Sequence, residues 1–323
     1  MNVSVRRHHV IVFLLIWPAV WAFGYDPSTF SEHSAEQERF LLGESVAGGQ
    51  ELHIAYVDAG PEDGPVVLLI HGVPTSSWAY RKVSASLAAL GYRVIAPDNL
   101  GFGNSAKPSG REYYSMRLQA ERLLALMDYL GIPSWLQVLH DVGGLITWEM
   151  LGVASHRIEG LVILNTFAYE EGWHPPRSLE NPLVQFSMGL IGFKNRAIIR
   201  TTICNMLVLP DKVDNDISLA GYYDPLLDGA DEAYLAFMTS LDEVRERLPE
   251  YQQILRTHGK PAVIIWGGHD ETLVGEEAIP LFKRDLRIPD YNIFLRGDAK
   301  HLIMEELPAL IVDRIIIFYP HSK

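Results

Sequence analysis

Residues 138–144 read Val-Leu-His-Asp-Val-Gly-Gly, and the acid at their centre, Asp141, stands where an apolar run should turn sharply into a helix. Trp135 to Leu139 has the character of a short buried strand and Leu145 to Leu151 that of an amphipathic helix, while Gly143 and Gly144 allow close packing across a tight turn. Such a turn holds one side chain out over the strand ends. Serine is the usual occupant; a carboxylate there can attack carbon directly and form an ester. The competing reading is an aspartate that only caps the following helix, since Asp is a favoured N-cap residue.

Other segments supply partners for a nucleophile. Val66 to Ile70 reads as a strand running into His71-Gly72-Val73-Pro74-Thr75, a turn in which the backbone N–H of Val73 can point into a cleft. The N–H of Val142, directly after the acid, can point at the same place, and the two would make an oxyanion hole. Tyr92 to Pro97 reads as another strand, entering the glycine-rich loop Asp98-Asn99-Leu100-Gly101-Phe102-Gly103-Asn104-Ser105. Towards the C-terminus, Ala262 to Trp266 is an apolar strand leading to Gly267-Gly268-His269-Asp270, and His301 follows a last strand predicted at Tyr291 to Leu295. The chain order is nucleophile, acid, base.

That order and those contexts resemble the α/β-hydrolase family, whose triad runs nucleophile, Asp or Glu, then His. Within it, His-Gly-x-Pro-Thr, Ala-Pro-Asp-x-x-Gly-x-Gly-x-Ser and an elbow aspartate resemble the branch that contains haloalkane dehalogenases and epoxide hydrolases, over about residues 38 to 319. The resemblance implies a mostly parallel sheet flanked by helices with an inserted helical cap. It implies Asp141 as nucleophile, His301 as general base, Asp270 as its orienting acid, and Val73 and Val142 as oxyanion donors. Some members carry the acid after the preceding strand, which here would be Glu170 or Glu171; Asp270 is preferred because Trp-Gly-x-x-Asp sits on a strand end. Asp298 reads as a turn residue, His71 as a structural part of its turn, His140 and His269 as non-chemical neighbours, and His156 and His174 as surface residues. A serine elbow is imitated only at Phe186-Ser187-Met188-Gly189, which follows no strand.

The leaving group decides the enzyme. Haloalkane dehalogenases generally hold the halide with a Trp after the nucleophile and a second donor, often Asn in a His-Gly-Asn-Pro turn; this chain has Val142 and Val73 at those places. A halide leaving into an apolar site without N–H donors is poorly stabilised, because an unpaired buried anion costs several kcal/mol. Trp173 or Trp148 are substitutes only from other positions, and no Arg follows the elbow to bind a fluoroacetate carboxylate. An epoxide needs instead a proton donor for the opening ring oxygen, a role that paired cap tyrosines play in epoxide hydrolases. Tyr169, Tyr222, Tyr223 and Tyr234 are candidates, with Trp78 and Trp173 as further substrate contacts. The expectation is a hydrolase acting on a small apolar organic substrate, epoxide before haloalkane. The contrasting class is a ligand-binding protein that kept the fold without turnover.

Composition agrees with one core plus an insertion. The chain is 48% hydrophobic and 21% charged, enough to bury a large core. The core is expected over 38–167 and 251–319. Between about 168 and 250 strand–helix alternation gives way to helical pieces rich in Met, Leu and Tyr, broken by Pro175-Pro176, Pro182, Pro210 and Asp224-Pro225, which reads as the cap. At the start, Arg6, Arg7, His8 and His9 precede an apolar run from Val10 to Phe23, and Val20-Trp21-Ala22 resembles a cleavage site, so residues 1–22 read as a secretory signal rather than a membrane anchor. Export to a periplasm or the cell exterior follows, with no stable membrane span after cleavage. Loss of Arg6 and Arg7 would take the formal charge from −13 to −15, which argues against nucleic acid as a partner. The single cysteine, Cys204, excludes an internal disulfide and reads as a packing residue. No metal-ligand spacing and no nucleotide-binding glycine loop is present, so neither metal nor cofactor is expected; the oligomeric state is left open.

Overall fold

In a computed structural model that describes residues 25–45, 49, 51–175 and 195–321, eight strands form one sheet in the order β1-β2-β4-β3-β5-β6-β7-β8. The strands are β1 (Glu38–Ser45), β2 (Glu51–Ala59), β3 (Val66–Ile70), β4 (Arg93–Pro97), β5 (Trp135–Asp141), β6 (Ile158–Thr166), β7 (Ala262–Gly267) and β8 (Ile293–Arg296). β1 and β2 are antiparallel to their neighbours, and every pairing from β4 through β3, β5, β6 and β7 to β8 is parallel. The parallel strands are apolar on both faces because helices must cover both. β5 is buried at every position, as is β7. The signal-like segment 1–22, the Ser187 imitation, Pro176 and Pro182 lie outside the described residues.

Two helical groups cover the sheet. The helix Arg81–Ala89 packs with Pro308–Phe318, while Val142–Ala154 packs with Met116–Tyr129 and with Leu241–His258, on which Gly275–Leu286 also rests. Between β6 and β7 the chain forms the helices Arg196–Asn205, Asp216–Pro225, Asp231–Met238 and Leu241–His258, and the last of these runs straight through position 250, where the sequence pattern suggested the insertion would end. The expected strand at Tyr291 begins later, at Ile293, because Asp290–Asn292 forms a short 3₁₀ turn.

At the end of β5 the backbone departs from strand geometry. Asp141 has φ 51° and ψ −125°, one of two non-glycine residues with positive φ among those described. Such a conformation costs of order 1–3 kcal/mol and persists only where its surroundings enforce it. The enforcement is visible. The Thr166 hydroxyl donates to the Asp141 carbonyl at 2.6 Å, and glycines allow the contacts that hold the turn closed. A Cβ on Gly72 would lie 2.4 Å from the Asp141 Cβ, and one on Gly144 would lie 2.0 Å from the Thr166 Oγ1. Gly144→Ala should therefore lower unfolding stability by about 1–3 kcal/mol, since overpacking at a close contact has that scale. Urea denaturation checks it; an unchanged midpoint would show that the turn is not held this tightly.

Candidate active site

The Asp141 side chain does not cap the helix that follows it. It turns the other way. One carboxylate oxygen, Oδ2, accepts the Val73 N–H at 2.9 Å, and the Val142 N–H also donates to this carboxylate. The two expected oxyanion donors thus converge on the acid itself. Two backbone N–H donors from separate elements, the turn after β3 and the first residue after β5, meet because β3 and β5 are adjacent parallel strands whose C-terminal ends lie together.

His301 and Asp270 are brought into contact by the neighbouring strand ends. The His301 Nδ1 and Asp270 Oδ2 are 2.7 Å apart, both residues being buried. Asp270 is in turn held by three donors. The Asn165 Nδ2 reaches Oδ2 at 2.8 Å, and the Thr272 and Leu273 N–H groups each reach Oδ1 at 3.0 Å. Asn165 is itself locked, because its Oδ1 accepts the Gly267 N–H at 2.8 Å. Glu170 and Glu171, the alternative acids, are exposed, and Glu170 lies 3.8 Å from Arg245.

Electrostatics separate the three groups. Burial raises the pKa of Asp141, opposed by His301 and by the Val73 and Val142 N–H groups, and the net shift is upward. Burial also raises Asp270, but His301, the Leu273 N–H and Asn165 outweigh it and bring the carboxyl down to about 2. The stability this group contributes is complete above the unfolded carboxyl's value of about 3.9 and is lost as pH falls towards the folded one. For His301, burial lowers the pKa, yet the Asp270 charge, its hydrogen bond and the Asp141 charge together carry it above the ordinary 6.5. His140 behaves oppositely. Its ring lies 4.7 Å from that of His301, and burial followed by repulsion from His301 keeps it well below the histidine range. The neutral His140 donates from Nε2 to the His301 carbonyl at 2.9 Å, while its Nδ1 has no partner.

A cavity of about 410 Å³ opens over Asp141 and His301. Its walls are mostly apolar: Val73, Phe167, Trp173 and Leu273 from the core side, and Met206, Tyr234, Phe237, Met238 and Leu241 from the inserted helices. That size and lining suit a small apolar molecule. A larger surface depression of about 650 Å³, between residues 111–117 and 236–251, is lined by charged groups such as Arg111, Arg117, Glu149 and Arg247 and lies away from Asp141.

Among the aromatic candidates the structure separates wall from scaffold. Trp173 lines the cavity, its ring stacked on Phe167 at 4.5 Å. Tyr234 lines it too, and burial and the nearby Asp141 charge both raise its phenol pKa. The other four are corrected. Trp78 is fully buried with its Nε1 donating to the Ser218 carbonyl at 2.9 Å, Tyr222 donates to Glu305 at 2.7 Å, and Tyr169 donates to Asp285 at 3.0 Å. Tyr223 lies under the Arg196 guanidinium, 5.4 Å from its ring centre. None of these four lines the cavity, because each hydroxyl, indole or ring face is already engaged in joining elements. Trp148 is unavailable as well, its Nε1 donating to the Phe167 carbonyl at 3.0 Å. Cys204 is only half-buried rather than packed in the core.

His71 accepts the Asn99 N–H on Nε2 at 2.9 Å and so serves its turn, as its position suggested, while His156, His174 and His269 are exposed. Asp298 pairs with Arg296 on the surface. Asn165 was not singled out from sequence. Its signal was a polar residue ending an apolar parallel strand next to the nucleophile strand, the place where ligand-facing groups collect in such sheets. Among the described residues no group of three His, Cys, Asp or Glu side chains is arranged to hold a metal ion, and no helix is long and apolar enough to cross a membrane.

The family described as alpha/beta hydrolase fold matches residues 65–308. A haloalkane dehalogenase of Mycobacterium marinum is 38% identical over 278 residues, covering 82% of this chain and 88% of that protein. The bifunctional epoxide hydrolase 2 of Rattus norvegicus is 35% identical over 122 residues, covering 38% of this chain and 21% of that protein. Among solved structures, the haloalkane dehalogenase DpaA of Paraglaciecola agarilytica NO2 superimposes with a TM-score of 0.72 at 18% identity, over 92% of this chain and 96% of that one.

The charges at the site give a measurement that needs no substrate. The Asp141 charge helps raise His301, so Asp141→Asn, which is neutral like an ester, should lower the His301 pKa relative to the wild type. Imidazole NMR titration of both proteins reads the shift directly. An unchanged or higher value in the variant would mean that the two groups do not sense each other.

Proposed function

This chain belongs to the α/β-hydrolase fold family, and from that premise we propose that it hydrolyses an electrophilic carbon substrate, an epoxide, through an ester on Asp141. The observation that carries the reading is the carboxylate held by the Val73 and Val142 N–H groups beneath a cavity whose opposite wall bears Tyr234. In the first step the Asp141 Oδ1 attacks a ring carbon. The C–O bond breaks, and its electron pair passes to the ring oxygen, which takes a proton from Tyr234. In the second step His301, oriented by Asp270, takes a proton from water. The resulting hydroxide adds to the ester carbonyl carbon and the oxyanion grows on Oδ2; collapse breaks the Cγ–Oδ1 bond, the departing alkoxide takes the proton from the His301 imidazolium to give the diol, and the carboxyl proton returns to the Tyr234 phenolate, which regenerates the carboxylate, the imidazole and the phenol.

Two physical features support this order of events. Oδ2 already rests in the oxyanion hole, so the donors need no rearrangement when negative charge develops there; one such donor is worth roughly 3–4 kcal/mol in subtilisin. Ester formation also neutralises Asp141 and removes one of the charges that raise His301, which frees the imidazole to act as a base in the step that requires it. The relatives named haloalkane dehalogenase and epoxide hydrolase support the alkyl-ester route in common. The choice between leaving groups rests on Val73 and Val142, whose side chains offer no N–H to a halide. Trp173 in the cavity wall favours a second reading, haloalkane dehalogenation, in which its indole would hold the anion.

Single turnover in ¹⁸O-labelled water should place label in the Asp141 carboxylate, read by mass of its peptide; label confined to product, with Asp141→Ala still active, would refute the ester. His301→Gln should accumulate the alkyl-enzyme. Against a panel of small epoxides and haloalkanes the wild type should form diol and release little halide. Efficient halide release that Trp173→Phe abolishes would move the assignment to the dehalogenase reading.

A further inference from the structure

The three residues that carry the base are moored at three points, and two of the moorings lead away from the core. The His301 carbonyl accepts from the His140 Nε2. The Leu302 N–H donates to the Met206 carbonyl at 3.1 Å, a backbone bond from the base segment to the inserted helices. The Lys300 N–H donates to the Glu306 Oε2 at 2.6 Å. Glu306 is buried, and its other oxygen, Oε1, accepts the Val208 N–H at 2.7 Å and the Leu209 N–H at 3.1 Å. Its backbone carbonyl accepts the Lys212 ammonium at 2.8 Å. One side chain therefore grips the residue before the base with one oxygen and the segment after Met206 with the other.

We infer that Glu306 is a positioning residue for the hydrolytic half-reaction, linking the placement of His301 to the placement of the inserted segment 206–209. The inference rests on the Asp141-ester reading above. A carboxylate suits the task because both oxygens accept, and three N–H donors converge on it; a carboxamide keeps one acceptor and turns an N–H towards the other donor set. The neighbouring Glu305 fixes the other side of the same short helix, Ile303–Glu306, through Arg81, Lys82 and the Tyr222 hydroxyl of the inserted helices. Met206 itself lines the cavity, so a molecule seated there bears on the segment that Glu306 ties to the base. Asp141 has its own supports, Val73, Val142 and Thr166, and none of them passes through Glu306. Loosening the mooring should disturb the water-activating step and spare the attack by Asp141.

The experiment is a single-turnover comparison of ester formation and ester hydrolysis in wild type, Glu306→Gln, Lys212→Met and His301→Gln, followed by mass of the Asp141 peptide. In Glu306→Gln, ester should form at close to the wild-type rate and be hydrolysed about tenfold or more slowly, since small misplacements of a catalytic group carry penalties of that size or larger. Lys212→Met removes an exposed side chain and keeps the fold if Glu306→Gln does not. It should show the same split at about two- to threefold. Equal slowing of both steps, or no slowing of hydrolysis, in the folded variants overturns the inference. His301→Gln separates the two failures: if it accumulates no ester, the proposed function falls; if it does and the other variants show no split, only the role of Glu306 falls.

Discussion

Holding an aspartate in a left-handed backbone conformation at the end of a fully buried strand is the constraint on which the rest of the site depends. Asp141 would relax into the strand or cap its helix if its neighbours let it. They do not, because the Thr166 hydroxyl occupies its carbonyl and the Val73 and Val142 N–H groups occupy its carboxylate. Three different segments thus spend polar groups on one residue. The strain of order 1–3 kcal/mol is comparable to a few such bonds, so losing one support matters more than its own strength suggests.

The charges around Asp141 shift the neighbouring groups in opposite directions. Asp270 is held anionic by His301 and by donors from Asn165 and its own loop, which fixes the imidazole with Nδ1 towards the acid and leaves Nε2 for the cavity side. His140, packed against the same ring, stays neutral because burial and the proximity of His301 both oppose a second positive charge. It therefore contributes as a hydrogen-bond donor to the backbone and adds no competing cation. A carboxylate, an imidazole and a second carboxylate in one buried row give a negative surplus that the proposed ester on Asp141 would relieve.

The inserted helices do more than cover this row. They carry half of the cavity wall, and they are fastened at Glu305 and Glu306, four and five residues beyond His301. Aromatic residues expected as substrate contacts serve the same fastening: Trp78 and Tyr222 tie core to insertion, and Tyr169, three residues beyond β6, is tied to Asp285. The wall is left to Trp173, Tyr234, Phe237 and aliphatic or thioether side chains, with Thr202 and Asn205 as polar members from the inserted helices, so the cavity is mostly apolar above its charged floor.

Much of this was legible in the chain. Asp141, Asp270 and His301 stand out because each is a polar residue at or within five residues of a strand end, and Val73 and Val142 follow from the turns beside them; local pattern determines such positions, since a parallel strand ends where its apolar run ends. The leaving-group question was also posed by sequence, through two valines where donors were expected. What only the tertiary structure decided is which of several equivalent side chains faces the cavity. Tyr222 and Tyr234 are alike in composition and neighbourhood along the chain, yet one hydroxyl meets Glu305 while the other tyrosine lines the cavity over Asp141, because helix rotation and the partners brought by distant segments set that choice. The same holds for Asn165, His140 and Glu306. Their roles arise from contacts across 102, 161 and 98 positions, to Gly267, His301 and Val208, and no local pattern carries information over such separations until the sheet has placed its strand ends side by side.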